Sequence, residues 1–496
     1  MVRTQRLASA AAAALLLPLA APAEAQSVAE LQRQIDELRA EVKALREAQG
    51  APAVAPPEEP AASTIAQAPT GAPSVTASPP LDVAVAPAGT PAPTQLASAD
   101  SAPTTATPSA QEDKPWYERL TLRGYAQMRY NAFLGGDGTA ADGLSRLRSV
   151  HDSSINDDGG FLLRRVRLVV EGDVTDNISV YLQHDFGTAV NNQSSTERRE
   201  NFGQLRDAYV DVYPLADRGF RLRFGQSKVP YGWENLQSSS NRLTLDRSDA
   251  INSGVPGERD LGIIAYYTPS HVQEIWDRLD EGGQKLFGNY GAFGLGVFNG
   301  QGTNRTERNG SLMTVAMATW PLELDGLGPL FRGQVLELGG SALLNNYRPE
   351  LRSGGVSDTD FADERIGIHG ILYPQPFGIQ AEWNWGRGPQ YDTSLQSIQE
   401  KNLNGGYVQV MYDLGETSIG KLIPYGRWQR FRGGWKGSVN APRLETDEFE
   451  IGVEWQVMEA LELTLAYANM KRREADERRL DRAEGDLLRT QLQWSY

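Results

Sequence analysis

The chain has 496 residues, no cysteine and a formal net charge of −15. Without cysteine there can be no disulfide or thiolate metal site, and the acidic balance argues against nucleic acid as a partner. The four histidines, His151, His184, His271 and His369, lack ligand-like spacing, so no metal and no cofactor is expected.

At the start, Arg3 and Arg6 precede the apolar run Leu7 to Ala21, which ends in Ala23-Glu24-Ala25. A positive start, a greasy middle and a small-x-small site predict a cleaved signal peptide over 1–25; the alternative, a membrane anchor, would need a longer run. Over 26–48 the apolar residues Val28, Leu31, Ile35, Leu38, Val42 and Leu45 step by three and four, the pattern of a short coiled coil or of one amphipathic helix lying on another surface. Residues 49–112 hold thirteen of the 28 prolines and bury too little to fold, so they are expected to be a disordered Pro/Ala-rich linker.

From 113 to 496 the texture changes to alternating segments divided by turns. The first, Arg119 to Tyr130, sets Leu120, Leu122, Ala126 and Met128 against Arg119, Thr121, Arg123, Gln127 and Arg129, the period of two that marks a strand. Fifteen more segments follow, and an even total suits a closed antiparallel barrel. Links after even-numbered strands are mostly short, as at 175–177 and 374–376, whereas those after odd-numbered strands are long and polar. Two even links, 269–288 and 321–332, are longer than this rule allows. Short turns in the periplasm and long loops outside place the N-terminus, linker and coil in the periplasm.

The central stretch is Arg221 to Tyr267, two alternating segments around a loop of more than thirty residues, a length usually tied to function. Its apolar face fits either a lipid-facing barrel wall or a soluble sandwich. The last strand decides between them: Leu488, Thr490, Leu492, Trp494 and Tyr496 alternate with polar residues up to the final position. An aromatic end on an amphipathic strand suits recognition by the barrel-insertion machinery, and closure onto the first strand satisfies every backbone group. The predicted fold is all-β, a 16-stranded antiparallel transmembrane β-barrel preceded by the coiled-coil helix and the linker.

Gly225-Gln226-Ser227-Lys228-Val229-Pro230-Tyr231-Gly232, with Glu234, Ser238-Ser239, Arg247-Ser248 and Pro256 to Gly262, resembles the signature region of the phosphate-selective porin O and P family. Asp207-Ala208-Tyr209-Val210 and Val297 to Gly302 add to the resemblance, which runs from about Arg119 to Tyr496. It implies an outer-membrane channel, a homotrimer and small anionic solutes, although members sharing this framework need not share phosphate selectivity.

Strand parity points Arg119, Arg123, Arg129, Arg165, Arg167, Arg221 and Arg223 into the lumen, and the long third loop adds Lys228, Arg242 and Arg247. Arginine suits oxyanions because its planar fork gives two parallel charged hydrogen bonds. The plainer reading is pairing with lumenal carboxylates, of which there is no shortage: from residue 113 on, 42 basic residues face 52 acidic ones.

The glycines of Gly294 to Gly300 imitate a nucleotide fingerprint, but no helix follows them. Together with the missing serine–histidine pair, this argues against an enzyme. The expected function is a water-filled channel for small anions such as phosphate. The alternatives are a general non-selective porin, or an anchor that tethers the membrane to a periplasmic layer through the coil.

Overall fold

The computed structural model describes residues 115–496 apart from 142–144, 148–151, 153–154, 156–158, 189–200 and 289. The signal peptide, coiled coil and linker read from the sequence lie outside the described residues. The wall is a closed antiparallel barrel of sixteen strands. These are β1 Leu120–Asp137, β2 Gly160–Thr175, β3 Ile178–Thr188, β4 Phe202–Val212, β5 Phe220–Lys228 and β6 Arg259–Tyr267. β7 Phe293–Phe298, β8 Met313–Glu323, β9 Val335–Tyr347, β10 Phe361–Leu372 and β11 Phe377–Asp392 follow. β12 Ser397–Tyr412, β13 Gly420–Gly434, β14 Arg443–Met458, β15 Leu461–Ala475 and β16 Ala483–Ser495 complete the ring.

Each strand pairs with its sequence neighbours, and β16 returns to β1 with Tyr125 opposite Ser495 and Met128 opposite Leu492. The ring is sealed by the Gly124 amide donating to the Tyr496 carbonyl at 2.8 Å and the Tyr496 amide donating back at 2.9 Å. A barrel without edges leaves no ladder group to face hydrocarbon. Alternation then separates solvents: Leu122, Leu182, Ile263, Leu295, Ile366 and Ile451 are exposed on the outside, while Gln127, Arg129, Gln183 and Asp211 are buried within. Exposed aromatics border the apolar band at both ends, Tyr267, Phe293, Phe377, Tyr412 and Trp494 towards the short turns, and Tyr130, Phe161, Trp385, Trp428 and Phe449 towards the long loops. Such girdles mark the two interfaces of a membrane barrel.

Two of the long links, the third loop and the link after β6, do not stay outside the ring. Residues 229–258, between β5 and β6, enter the lumen and are buried almost throughout, with one-turn helices α1 Trp233–Leu236 and α2 Asp249–Asn252. From the other end, the link after β6 carries helix α3 Ser270–Glu281, which buries Val272, Ile275, Trp276 and Leu279. That spacing of three, four and seven is one face of a helix. Both links pack into one apolar cluster against β6 to β10, which includes Trp233, Trp276, Phe287, Tyr290, Met313 and Tyr373.

Removing Trp494 to Tyr496 takes away the pairs Trp494–Ala126 and Trp494–Leu461 and the backbone seal at Gly124. That deletion is expected to abolish membrane insertion, read as loss of heat-modifiable migration in outer-membrane fractions, and normal insertion would contradict the closure.

Candidate permeation path

The long third loop is held across the lumen by carboxylates. Gly232, at φ +83°, bends the chain so that the amides of Trp233 and Glu234 donate to the Glu382 carboxylate of β11 at 2.7 and 3.1 Å. A Cβ at Gly232 would lie 2.4 Å from Ile251 and 3.0 Å from Glu382, so a side chain is excluded there. Glu234 in turn accepts both terminal nitrogens of Arg427 from β13, at 2.5 and 3.1 Å. On the facing wall, the Ser239 carbonyl accepts Gln127 at 2.9 Å, and its hydroxyl meets Tyr125 at 2.6 Å and Arg167 at 3.0 Å. Asp246 receives Arg129 at 2.9 Å and Arg489 at 2.7 Å.

Motif pieces far apart in sequence converge at the loop's second root. Arg259 donates to Asp207 at 2.9 Å and to Glu258 at 2.6 Å, and Arg247 also pairs with Glu258. Asp260 accepts the amides of Gly300 at 2.7 Å and Gly302 at 3.2 Å, which accounts for the Asn-Gly-Gln-Gly turn.

Most of the arginines assigned to the lumen by parity are paired. Arg123 meets Glu171 at 2.6 Å, Arg129 meets Asp152 at 3.0 Å, and Arg167 meets Asp185 at 2.9 Å. Arg221 and Arg223 share Asp211 at 3.9 and 2.7 Å, with Arg223 seated over the Tyr209 ring at 3.7 Å. Arg119 lies at the short-turn rim, 3.6 Å from Asp176. Lys228 turns its ammonium to the carbonyls of Leu236 at 3.0 Å and Gln237 at 3.3 Å, so it pins the loop from beneath. Arg247 also donates to the carbonyls of Glu234 and Gln237, each at 3.1 Å.

Two of the assigned arginines differ. Arg165 makes a 2.7 Å bond to the Gln127 side chain and has no ion pair among the described residues. Arg242 is 5% exposed, and none of its three guanidinium nitrogens has a partner. Burial, with Arg247 beside it, pulls the Arg242 guanidinium down to about 9. Its charged form is therefore one that a counter-ion would stabilise.

A third arginine of this kind was missed by strict alternation, which sends Arg164 to the lipid. Register slips there: Gln127 faces Arg165, but Met128 faces Leu163, which leaves Arg164 as the extra residue of a β-bulge. A bulge re-aims its side chain, and the charges bearing on Arg164 belong to the lumenal residues Arg129, Asp246, Asp152 and Asp185. Its Nε is buried without a partner, and it has no ion pair among the described residues. The charges of Arg164, Arg242, Arg129 and Arg167 all bear on Arg165. Arg206 sits at a similar slip in β4, where Gln183 faces Asp207 but His184 faces Leu205, and it reaches the Gly257 carbonyl at 3.1 Å. The adjacent pairs Arg164-Arg165 and Arg206-Asp207 are the only trace of these bulges in the sequence.

The family profile described as Phosphate-selective porin O and P matches residues 145–496. The chain belongs to this family. No curated protein matches the sequence. Among solved structures the porin is similar to the outer membrane channel DcaP of Acinetobacter baumannii, at 15% identity and TM-score 0.47 over 76% of this chain and 97% of that one. It is also similar to Pseudomonas putida OprB, at 10% identity and TM-score 0.45 over 77% and 95% of the two chains. A third is the anion-selective porin of Comamonas acidovorans, at 12% identity and TM-score 0.43 over 76% and 99%.

The porin's path is narrowed from the short-turn end as well. After α3, the Lys285 carbonyl accepts Gln237 and the Leu286 carbonyl accepts Asn241, both at 3.0 Å, so this strap is bonded to the third loop. The Lys285 ammonium reaches across to Glu454 at 2.9 Å and Glu462 at 3.8 Å. Burial would lower Lys285, but these two carboxylates more than offset it and hold its charge. Loop and strap share one anchor, the Glu337 carboxylate of β9. It accepts Trp233 and Trp276 at 3.0 Å each, Thr319 at 2.7 Å and Tyr373 at 2.8 Å.

Burial alone would raise Glu258, yet Arg247, Arg259, Arg206 and Lys228 hold it well below the usual carboxylate range. Its folded pKa is below the unfolded value of about 4.3, so its contribution is complete above that value and lost as pH falls through the folded one. Conductance is therefore expected to be unchanged between pH 7 and pH 5. Glu258→Gln, which leaves Arg247 without a carboxylate and Arg259 with Asp207 alone, should add current noise and shift the reversal potential towards anions at both pH values.

Proposed function

We propose that this outer-membrane channel prefers small anions, oxyanions such as phosphate above all, and passes them through the gap between β1, β2 and the third loop. One observation carries the reading: Arg242 is buried with all three guanidinium nitrogens unpartnered, beside Arg164 and Arg165, which have no ion pair among the described residues. Uncompensated like charges in a low-dielectric gap are costly, and an entering anion removes that cost. Fixed cations between low-dielectric walls also raise the local anion concentration far above that at an open surface.

The acidic net charge does not oppose this preference, because the lumenal carboxylates near the path are spent on Arg129, Arg167, Arg247, Arg259 and Arg427. The lumenal side chains of β1 and β2 from Arg123 to Asn131 and from Arg165 to Val169 are all under 10% exposed, which favours a narrow path over general diffusion. The reading includes a homotrimer and a periplasmic N-terminal coil, both drawn from the sequence and the family.

Planar-bilayer reversal potentials in a salt gradient test it. Arg165→Gln with Arg242→Gln should shift selectivity towards cations and weaken phosphate block of chloride current by about tenfold or more, since a charge-assisted hydrogen bond contributes about 1.5–3 kcal/mol. A pore that is already cation-selective, or indifferent to both changes, would sink the anion reading and leave a general porin.

A further inference from the structure

Between the third loop, the strap and β10 to β13 lies a recess of about 420 Å³, the solvent at its mouth included, well round the ring from β1 and β2. Gln237 and Leu243 of the third loop roof it, and Gly283, Gln284 and Lys285 of the strap form one side. The inner wall closes the other side with Ile371, Gln380, Gln409, Met411 and Ile423. Gly283 is exposed, and Pro374 and Asp413 lie just past the ends of β10 and β12, so the recess opens towards the short turns.

Its four glutamines are buried, and each turns its NH2 group elsewhere. Gln284 donates to the Pro374 carbonyl at 3.0 Å, and Gln237 donates to the carbonyls of Asn241 at 2.9 Å and Lys285 at 3.0 Å. Gln380 donates to the Tyr407 hydroxyl at 2.6 Å, and Gln409 makes only a 4.0 Å contact with the Met411 sulfur. What remains of each is its amide oxygen, and none of the four oxygens accepts a hydrogen bond among the described residues. The Gln284 oxygen is fully buried in that condition. A buried acceptor without a donor is costly, and several around one space favour a ligand that only donates.

A carboxylate or phosphate would bring further acceptors, so the anions of the path do not suit this recess. The enclosed part admits a group about the size of one water, which excludes a guanidinium or a quaternary ammonium. A primary ammonium has that size, with three donors and no acceptor. The two lysines beside the recess are already engaged, Lys285 by Glu454 and Lys421 by Asp413, each at 2.9 Å. Behind Tyr373, the Glu337 carboxylate accepts that residue's hydroxyl at 2.8 Å and has no ion pair among the described residues. Leu243, Ile371, Met411 and Ile423 supply aliphatic walls for an alkyl chain. We propose that the recess binds the primary ammonium group of a small alkylamine, with the ammonium among the glutamine oxygens and the chain against these walls.

Propylammonium is titrated onto the full-length porin in detergent, and binding is read by saturation-transfer NMR. The parent is expected to bind it saturably and to bind tetramethylammonium, which has no N–H, at least about tenfold more weakly. Q284M and Q409M should each weaken propylammonium binding about tenfold, since each removes an acceptor for a charged donor. Q409M gives up only the 4.0 Å sulfur contact, so it should insert and conduct as the parent does. R165Q/R242Q, which alters the anion path, should leave propylammonium binding unchanged. No saturable binding by the parent, equal binding by the parent and both glutamine variants, or loss of binding in R165Q/R242Q would overturn the proposal. Equal binding of tetramethylammonium would overturn it too, as nonspecific attraction of cations to an acidic chain, and displacement by an equal concentration of potassium would do so by assigning an inorganic cation site.

Discussion

A barrel wall in hydrocarbon leaves its charges only two places, the lumen and the headgroup rims, and the architecture of this porin follows from that constraint. Hydrogen bonding is complete within the ring, so the strands need nothing from inside it. The lumen is then free to be filled by links that enter from both ends and are held by ion pairs instead of backbone ladders. Breaking one buried pair strands its partner in low dielectric, which keeps a loop with so little regular structure in one place. Acidic residues are therefore scaffolding here: Asp207 and Asp211 on the wall and Glu234 in the third loop each hold an arginine, and Glu382 holds the amides at the start of α1.

In the proposed reading, this division of labour is how an acidic chain can present a cationic path. Net charge sums over all residues, whereas a permeating ion meets only those charges that no neighbour has neutralised. Arg164, Arg165 and Arg242 stand apart because no carboxylate comes within ion-pair distance of them among the described residues. The remaining lumenal arginines are already engaged in holding the wall and the loop.

The sixteen strands were legible because period two is a local signal, repeated wherever one face meets lipid and the other water. The closing strand was legible because its alternation reaches Tyr496. Which arginines are paired was not, since Arg427 and Glu234, or Arg489 and Asp246, are joined across some two hundred residues of chain. Parity fails where the ladder slips by one residue, so strict alternation does not find Arg164. The link after β6 held a readable helical pattern in Val272, Ile275, Trp276 and Leu279, yet nothing in that pattern says that the helix turns inward. Its burial depends on Glu337, which belongs to β9.

The Glu337 carboxylate has a consequence for any attempt to reshape the channel. Its four donors come from the third loop, α3, β8 and the residue just after β10, so the two obstructions in the lumen are bolted to one post. Trimming either obstruction alone leaves a buried acceptor short of a donor and loosens the other. The outer and inner ends of this pore are thus mechanically one part, and a wider bore requires redesigning both together with the residue between them.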